Sequence, residues 1–163
     1  MKKIIITGGS GFIGTNAVEY FSNKGFDVLN IDIKKPQNND HIKFWSECDI
    51  LDLDKYYQQI LEFNPDYFLH LAARTDLNET KSISGYDTNI TGVENTVKVV
   101  NSCPNIKRTI FASSRLVCRI GYLPKNETDY CPPNLYGESK VIGEKIVRSS
   151  KMNCDWIIVR PTS

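Results

Sequence analysis

The stretch Thr7-Gly8-Gly9-Ser10-Gly11-Phe12-Ile13-Gly14 most constrains how this chain can fold. It follows the apolar run Ile4-Ile5-Ile6 and precedes Ala17, Val18 and Phe21, which share a helical spacing. A strand, a glycine turn and a helix therefore follow one another within two dozen residues. Glycines let the backbone turn sharply and approach a ligand closely, and a helix N-terminus directs unpaired N–H groups and the positive end of its dipole at an anion. A glycine triplet alone also fits a tight turn with no ligand. Its position between a strand and a helix makes it a dinucleotide-binding candidate, with Gly8, Gly11 and Gly14 as the spaced glycines. A Walker phosphate loop does not fit, because no Gly-Lys-Ser/Thr follows.

Alternation continues along the chain. Apolar runs predict strands at Lys3–Thr7, Asp27–Asp32, Ile42–Trp45, Tyr67–Leu71, Arg108–Ser113 and Trp156–Arg160. Helical spacing predicts helices at Phe12–Lys24, Asp54–Phe63, Ile83–Ser102 and Gly137–Lys151. Repeated β-α units with short apolar strands predict an α/β fold, a parallel sheet covered on both faces and doubly wound. Two loop-like segments, Lys34–Asp40 and Gly121–Asn134, follow strand ends, where such sheets bind ligands. At 163 residues the chain suffices for one core.

Twenty basic and 19 acidic residues leave a net charge of +1, which gives no support for a nucleic acid or an acidic membrane as partner. No signal peptide or membrane-spanning run is visible, and five scattered cysteines without a C-x-x-C pair read as reduced thiols in a cytoplasm. His41 and His70 have no ligand spacing with the cysteines, so no metal site is expected. Cys118 is read as a packed thiol and not a nucleophile, because no base is visibly paired with it, and His70 as a satisfied core histidine rather than a catalyst.

Several residues after strand ends carry chemistry. Asp32 closes the second strand 21 residues after Gly11. A carboxylate there accepts hydrogen bonds from a ribose diol and repels a 2′-phosphate, which favours NAD over NADP, although Lys34 and Lys35 pull the other way. Asp49-Ile50 suits the amino group and face of an adenine, or equally a helix cap. Small residues in His70-Leu71-Ala72-Ala73 let a flat ligand lie against backbone, or serve close packing. Ser113 and Ser114 end the fifth strand, and Tyr136 and Lys140, four apart, share a helix face. A tyrosine, with an ordinary pKa of ~10, is a poor base at neutral pH, but a nearby ammonium and a cationic nicotinamide stabilise its phenolate. Ser114 is then placed to hydrogen-bond a reacting oxygen. A surface Tyr/Lys pair is the plain alternative.

Together these residues, with Asn89-Ile90-Thr91-Gly92 and Arg160-Pro161, occur in an order that resembles the extended short-chain dehydrogenase/reductase family, and within it the NAD-dependent epimerase/dehydratase group acting on nucleotide sugars. The resemblance spans nearly the whole chain and implies a Rossmann fold with NAD as cofactor. It implies that Gly8, Gly11, Phe12, Ile13 and Gly14 hold the pyrophosphate, Asp32 the adenosine ribose, and Asp49 and Ile50 the adenine. Leu71, Ala72, Ala73 and Asn89 would line the cofactor cleft. Ser114, Tyr136 and Lys140 would be catalytic, with Lys140 also on the nicotinamide ribose. It implies a nucleotide-sugar substrate and a homodimer through the helices holding Asn89 and Tyr136. The apolar positions Ile90, Val93, Val97, Val100, Val141, Ile142, Ile146 and Val147 would serve packing and interface together.

The chain also departs from the family pattern. Ser113-Ser114-Arg115-Leu116-Val117-Cys118-Arg119 lacks the Tyr-Gly of many relatives, and Arg115-Leu116 replaces the Asp-Glu pair of sugar 4,6-dehydratases. Epimerase or keto-reductase chemistry is therefore expected rather than 4,6-dehydration. Relatives continue beyond the strand before Arg160 into a smaller substrate lobe, so residues 1–163 are expected to be the NAD-binding domain of a longer protein, truncated before that lobe and poorly active alone. The rival expectation is a non-catalytic dinucleotide-binding or interaction module on the same fold.

Overall fold

A computed structural model describes residues 1–162. Lys3–Thr7 (β1) is buried on both faces from Ile4 onward, which is why its apolar residues run on without alternation. It pairs in parallel with Asp27–Asp32 (β2) on one side and Tyr67–His70 (β4) on the other. Trp45–Glu47 (β3) extends the sheet beyond β2, and Arg108–Ala112 (β5) and Asp155–Val159 (β6) extend it beyond β4. Among the described residues the order is β3-β2-β1-β4-β5-β6, all parallel. This is the doubly wound Rossmann arrangement, in which the order reverses between β1 and β4 and ligands sit beyond the strands' carboxyl ends.

Register aligns that edge. Thr7 pairs with both Ile31 and His70, His70 with Phe111, and Phe111 with Ile158, so one row crosses the sheet. Gly8, Asp32, Leu71 and Ala112 each lie one residue beyond the row. The candidate residues nearest the strand ends thus share one rim because the strands share one register.

Among the described residues four helices flank the sheet: Phe12–Asn23 (α1), Leu53–Phe63 (α2), Asp87–Asn101 (α3) and Leu135–Ser149 (α4). Val18, Ala17 and Phe21 of α1 pack on Ile4, Ile6 and Val28. Tyr56 and Ile60 of α2 and Val99 and Val100 of α3 pack on the opposite face against Ile5, Ile31 and Phe68. On that same face, Val93 and Val97 of α3 and Val147 of α4 join Phe111, Trp156 and Ile158. The α1 face is covered less completely. Phe21, Phe26, Tyr67, Leu69 and Ile110 line an apolar groove of about 160 Å³ there, and Ile157 and Val159 are 43% and 37% exposed.

Two expectations are corrected. Ile42–Trp45 is not the third strand: Asn39–Phe44 form a 3-10 turn whose start is fixed by the Asn38 side chain accepting from the Asp40 N–H at 3.0 Å. The alternation of Ile42 and Phe44 resembles a strand, but the cap starts a helical turn first, and β3 begins at Trp45. The long third helix is also divided: Ile83–Tyr86 form a 3-10 turn capped by Ser82, and α3 starts at Asp87. No helix among the described residues is long and apolar enough to cross a membrane.

Candidate active site

At the β1–α1 turn, Gly8 has φ +71, and a Cβ there would lie 2.7 Å from the Ala72 backbone N. Only glycine fits both the dihedral and the contact. Its N–H donates to Ile31 O at 2.8 Å, and its carbonyl accepts from Gly11 N–H at 3.1 Å. Gly11 is the N-cap of α1 and supplies no side-chain cap, whereas α2 and α4 are capped by Asp52 and Asn134. The first turn of α1 therefore opens with uncapped N–H groups. Phe12 and Ile13 there are 90% and 50% exposed, while Gly14 is buried.

Asp32 faces this turn. Its carboxylate accepts from Ser10 N–H at 3.0 Å and from Lys34 N–H at 2.9 Å. Asp49 is exposed, and its side chain accepts from Leu51 N–H at 3.0 Å; Asp52, three residues on, is the α2 cap. Ile50 is corrected in orientation. Its side chain is packed in the core with Tyr56 and Val99, so it does not lie open to an adenine face, and its carbonyl accepts from buried Asn95 Nδ2 at 3.0 Å. Leu71 and Ala72 pack inward on opposite faces, and Leu71 N–H donates to Thr7 O at 3.0 Å. Ala73 is half-buried.

Asn89 is buried within this framework. Its Oδ1 accepts from Arg74 N–H at 2.9 Å, and its Nδ2 donates to Arg74 O and to Ser139 Oγ at 3.0 and 2.9 Å. It joins the segment after β4 to α3 and α4, and both of its donor hydrogens are used within the chain.

Ser114 caps the 3-10 turn Arg115–Val117, its Oγ accepting from Leu116 N–H at 3.1 Å, which leaves its own hydrogen free to donate. Asn134 caps α4 by accepting from Gly137 N–H at 2.8 Å, and this sets Tyr136 and Lys140 one turn apart on a fixed helix. Gly137 meets the Leu116 carbonyl so closely that a side chain there would overlap it. The turn after Ser114 is thus pressed against the first turn of α4, the helix that carries Tyr136 and Lys140. Tyr136 and Lys140 are each 8% exposed. Lys140 Nζ donates to Ala112 O at 3.1 Å and lies 6.0 Å from the centre of the Tyr136 ring. Burial pushes the Lys140 ammonium down to about 8, against a smaller opposing pull from Glu144.

Sequence reasoning missed two clusters beneath these residues. In one, His70 Nδ1 lies 2.9 Å from Thr7 Oγ1 and 3.2 Å from Thr96 Oγ1, and Tyr56 OH lies 3.0 Å from Thr96 Oγ1. His70 is therefore a core residue on one nitrogen only, since buried Nε2 has no hydrogen-bond partner. Burial, and next the Lys140 charge, hold it neutral with a pKa of about 3. In the other, Glu144 accepts from Arg160 Nε and Nη2 at 2.7 and 2.6 Å, from Ser113 Oγ at 2.6 Å and from Tyr130 OH at 2.9 Å. Burial favours a neutral Glu144, but these donors together hold its carboxyl below the usual range. The four-residue step Tyr136, Lys140, Glu144 was the available signal. His70, Asn89, Lys140 and Glu144 also line one cavity of about 20 Å³, room for a single water.

Of the apolar positions expected to serve packing and interface, Val93, Val97, Val100, Val141 and Val147 are buried within the chain. Ile90, Ile142 and Ile146 are half-buried.

Comparison with known proteins places this architecture. The model of the NAD dependent epimerase/dehydratase family matches residues 4–163. A UDP-glucose 4-epimerase of Lactobacillus helveticus is 32% identical over 153 residues, covering 89% of this chain and 46% of the relative. A dTDP-glucose 4,6-dehydratase of Haemophilus influenzae is 27% identical over 179 residues, covering 91% and 51%. Among solved structures, the Bordetella bronchiseptica enzyme WbmH in complex with NAD+ superposes with a TM-score of 0.80 at 26% identity, covering 98% of this chain and 55% of that one. The chain spans about half the length of the curated relatives it matches.

Proposed function

Because the chain belongs to the NAD dependent epimerase/dehydratase family, we propose that it binds NAD along the carboxyl rim and serves reversible hydride transfer at a carbon of a nucleotide sugar, as an epimerase or keto-reductase. The observation that carries this reading is the buried Lys140 ammonium beside the Tyr136 ring, on the same sheet edge as the uncapped start of α1. A burial that depresses a lysine this far costs stability, and its place beside the Tyr136 ring supports a catalytic role in addition to a hold on the nicotinamide ribose.

The residues present fit the cofactor. The uncapped N–H groups of Phe12, Ile13 and Gly14, reached over Gly8 and Gly11, suit a pyrophosphate. Asp32 keeps lone pairs for a ribose diol after accepting from Ser10 and Lys34. Asp49 and the Ile50 peptide would meet the adenine, and Leu71, Ala72, Ala73 and Asn89 would shape the cleft. When bound, the nicotinamide supplies the hydride acceptor and donor.

The chain's own residues handle the proton. Tyr136, as phenolate, takes a hydroxyl proton from the sugar carbon being oxidised. The Lys140 ammonium stabilises that phenolate, and Ser114 donates its free hydrogen to the developing carbonyl oxygen. In the reverse direction Tyr136 returns the proton. Arg115-Leu116 after Ser114 brings no acid or base for eliminating water, which favours epimerase or keto-reductase over dehydratase.

Residues 1–163 act in this reading as the NAD-binding domain of a longer protein and turn over little alone, because aligning the sugar supplies much of the rate. A homodimer would use the half-buried Ile90, Ile142 and Ile146. The test is calorimetry of the 163-residue chain with NAD, followed by single-turnover cofactor reduction with a UDP-sugar in wild type and Tyr136→Phe. Binding is expected to survive in the variant while the already slow reduction is lost. Equal reduction rates would overturn the mechanism, absent NAD binding would overturn the site, and robust epimerisation by this chain would overturn its dependence on further residues.

A further inference from the structure

One pair of thiols stands apart from the other cysteines. Cys131 N–H donates to Val117 O at 3.0 Å, and Cys131 O accepts from Arg119 N–H at 2.7 Å. The two bonds bracket Cys118, so Cys118 and Cys131 face each other in an isolated parallel bridge. Directly paired residues project to the same side, and neighbouring strands run ~4.8 Å apart, within the Cα separation of ~4.4–6.8 Å that a disulfide spans. The Cys118 thiol already leans over the other segment, donating to Asp129 O at 3.4 Å. Both cysteines are half-buried and so within reach of a small solute. Cys48 and Cys103, by contrast, are packed in the main core, where burial pushes the Cys48 thiol up to about 11.

We propose that Cys118 and Cys131 are a dithiol modification site that a hydroperoxide converts reversibly into an intrachain disulfide. In the first step one thiolate attacks the peroxide. An S–O bond forms, the O–O bond breaks, and the leaving oxygen takes a proton to become water or an alcohol. In the second step the other thiolate attacks the resulting sulfenic sulfur. The S–S bond forms, the S–O bond breaks, and the departing hydroxide takes a proton to become water. The two sulfurs together lose two electrons and the peroxide gains them.

The placement gives the bond a consequence. Cys118 directly follows the turn capped by Ser114, and Cys131 precedes Asn134, the cap of the helix that carries Tyr136. Closing the pair ties these two segments at their bases and loops out the stretch holding the exposed Ile120 and Leu123. The inference rests on the bridge alone and is independent of the reaction proposed above.

The experiment treats the reduced 163-residue chain with near-stoichiometric hydrogen peroxide, alkylates remaining thiols after denaturation, and maps unreduced peptides by mass spectrometry. The five thiols are expected to fall to three, with one cross-linked species joining Cys118 to Cys131 that dithiothreitol reverses. Cys154→Ser should keep this cross-link, and Cys131→Ser should replace it with a dimedone-trapped sulfenic acid at Cys118. The wild-type map decides even if a variant fails to fold. Five surviving thiols, a cross-link through Cys154, a dimer joined between chains, or overoxidised Cys118 without a cross-link would each overturn the proposal.

Discussion

At the β1–β2 end of the carboxyl rim, the groups proposed to meet the cofactor are backbone N–H groups on the first turn of α1 and one carboxylate, Asp32. At the β5–α4 end the proposed catalytic groups are three side chains, Ser114, Tyr136 and Lys140, from two separate segments. The first end is open, with Phe12 90% exposed, whereas Tyr136 and Lys140 are each 8% exposed. Within the first end the glycine turn itself is local, although it is docked on β2 and on the segment after β4 through Gly8 N–H on Ile31 O, Ser10 N–H on Asp32 and Gly8 against Ala72. Tertiary contacts build the second, through Gly137 against Leu116, Lys140 on Ala112 O and Glu144 tying Ser113 to Arg160. Electrostatic cost follows the same division: Lys140 and His70 are shifted by burial at or beneath the second end.

Substitutions can break or sharpen this contrast. The largest effect is expected from Gly8→Val. It forces a β-branched residue to positive φ against the Ala72 backbone and should cost on the order of 4 kcal/mol in urea unfolding. A loss below about 1 kcal/mol would show that the turn is not held by backbone conformation. Next is Glu144→Gln, which leaves Arg160 without its buried counter-charge and should cost about 3 kcal/mol by the same measurement. Because Glu144 titrates below the usual range in the folded chain, its stabilisation is present above the ordinary glutamate pKa. It should be lost as pH falls through the lower folded value.

Lys140→Met should act in the opposite direction, stabilising the chain by about 1–3 kcal/mol near neutral pH, since it removes a buried charge. The sign follows from proton binding. Between about 8 and 10.5 the unfolded lysine keeps a proton that the folded one has lost, so wild-type stability rises with pH across that window. His70 produces a second rise between about 3 and 6.5. Urea midpoints measured across pH should show both rises in wild type and only the lower one in Lys140→Met. The smallest effect is expected from Asp32→Ala, about tenfold weaker NAD binding by calorimetry, or roughly 1.4 kcal/mol. Unchanged affinity would remove Asp32 from the proposed site.

The same division explains what the sequence revealed. Gly8 through Gly14 could be read from order alone, because a strand, a glycine turn and a helix are local events. The parallel sheet was legible from the repeated apolar runs. Residues 42–45 misled because Ile42 and Phe44 alternate as in a strand, while the decision lay with the polar cap at Asn38. Ile50 misled because sequence does not say toward which side of a rim a side chain turns. The Thr7–His70–Thr96–Tyr56 cluster was invisible for a different reason. Its members are separated by up to 89 residues and meet only through strand register and the packing of α2 and α3.

The unequal cover of the two sheet faces has a consequence for the chain in solution. Among the described residues β6 lies at an edge of the sheet, where one side of its backbone has no strand beside it, and Ile157 and Val159 on it are 43% and 37% exposed. An apolar edge strand is a template for aggregation. Only Asp155, at its start, places a charge on it. Precipitation at high protein concentration, made worse by sulfate and relieved by a charge at position 157, would begin along this strip rather than at either end of the rim.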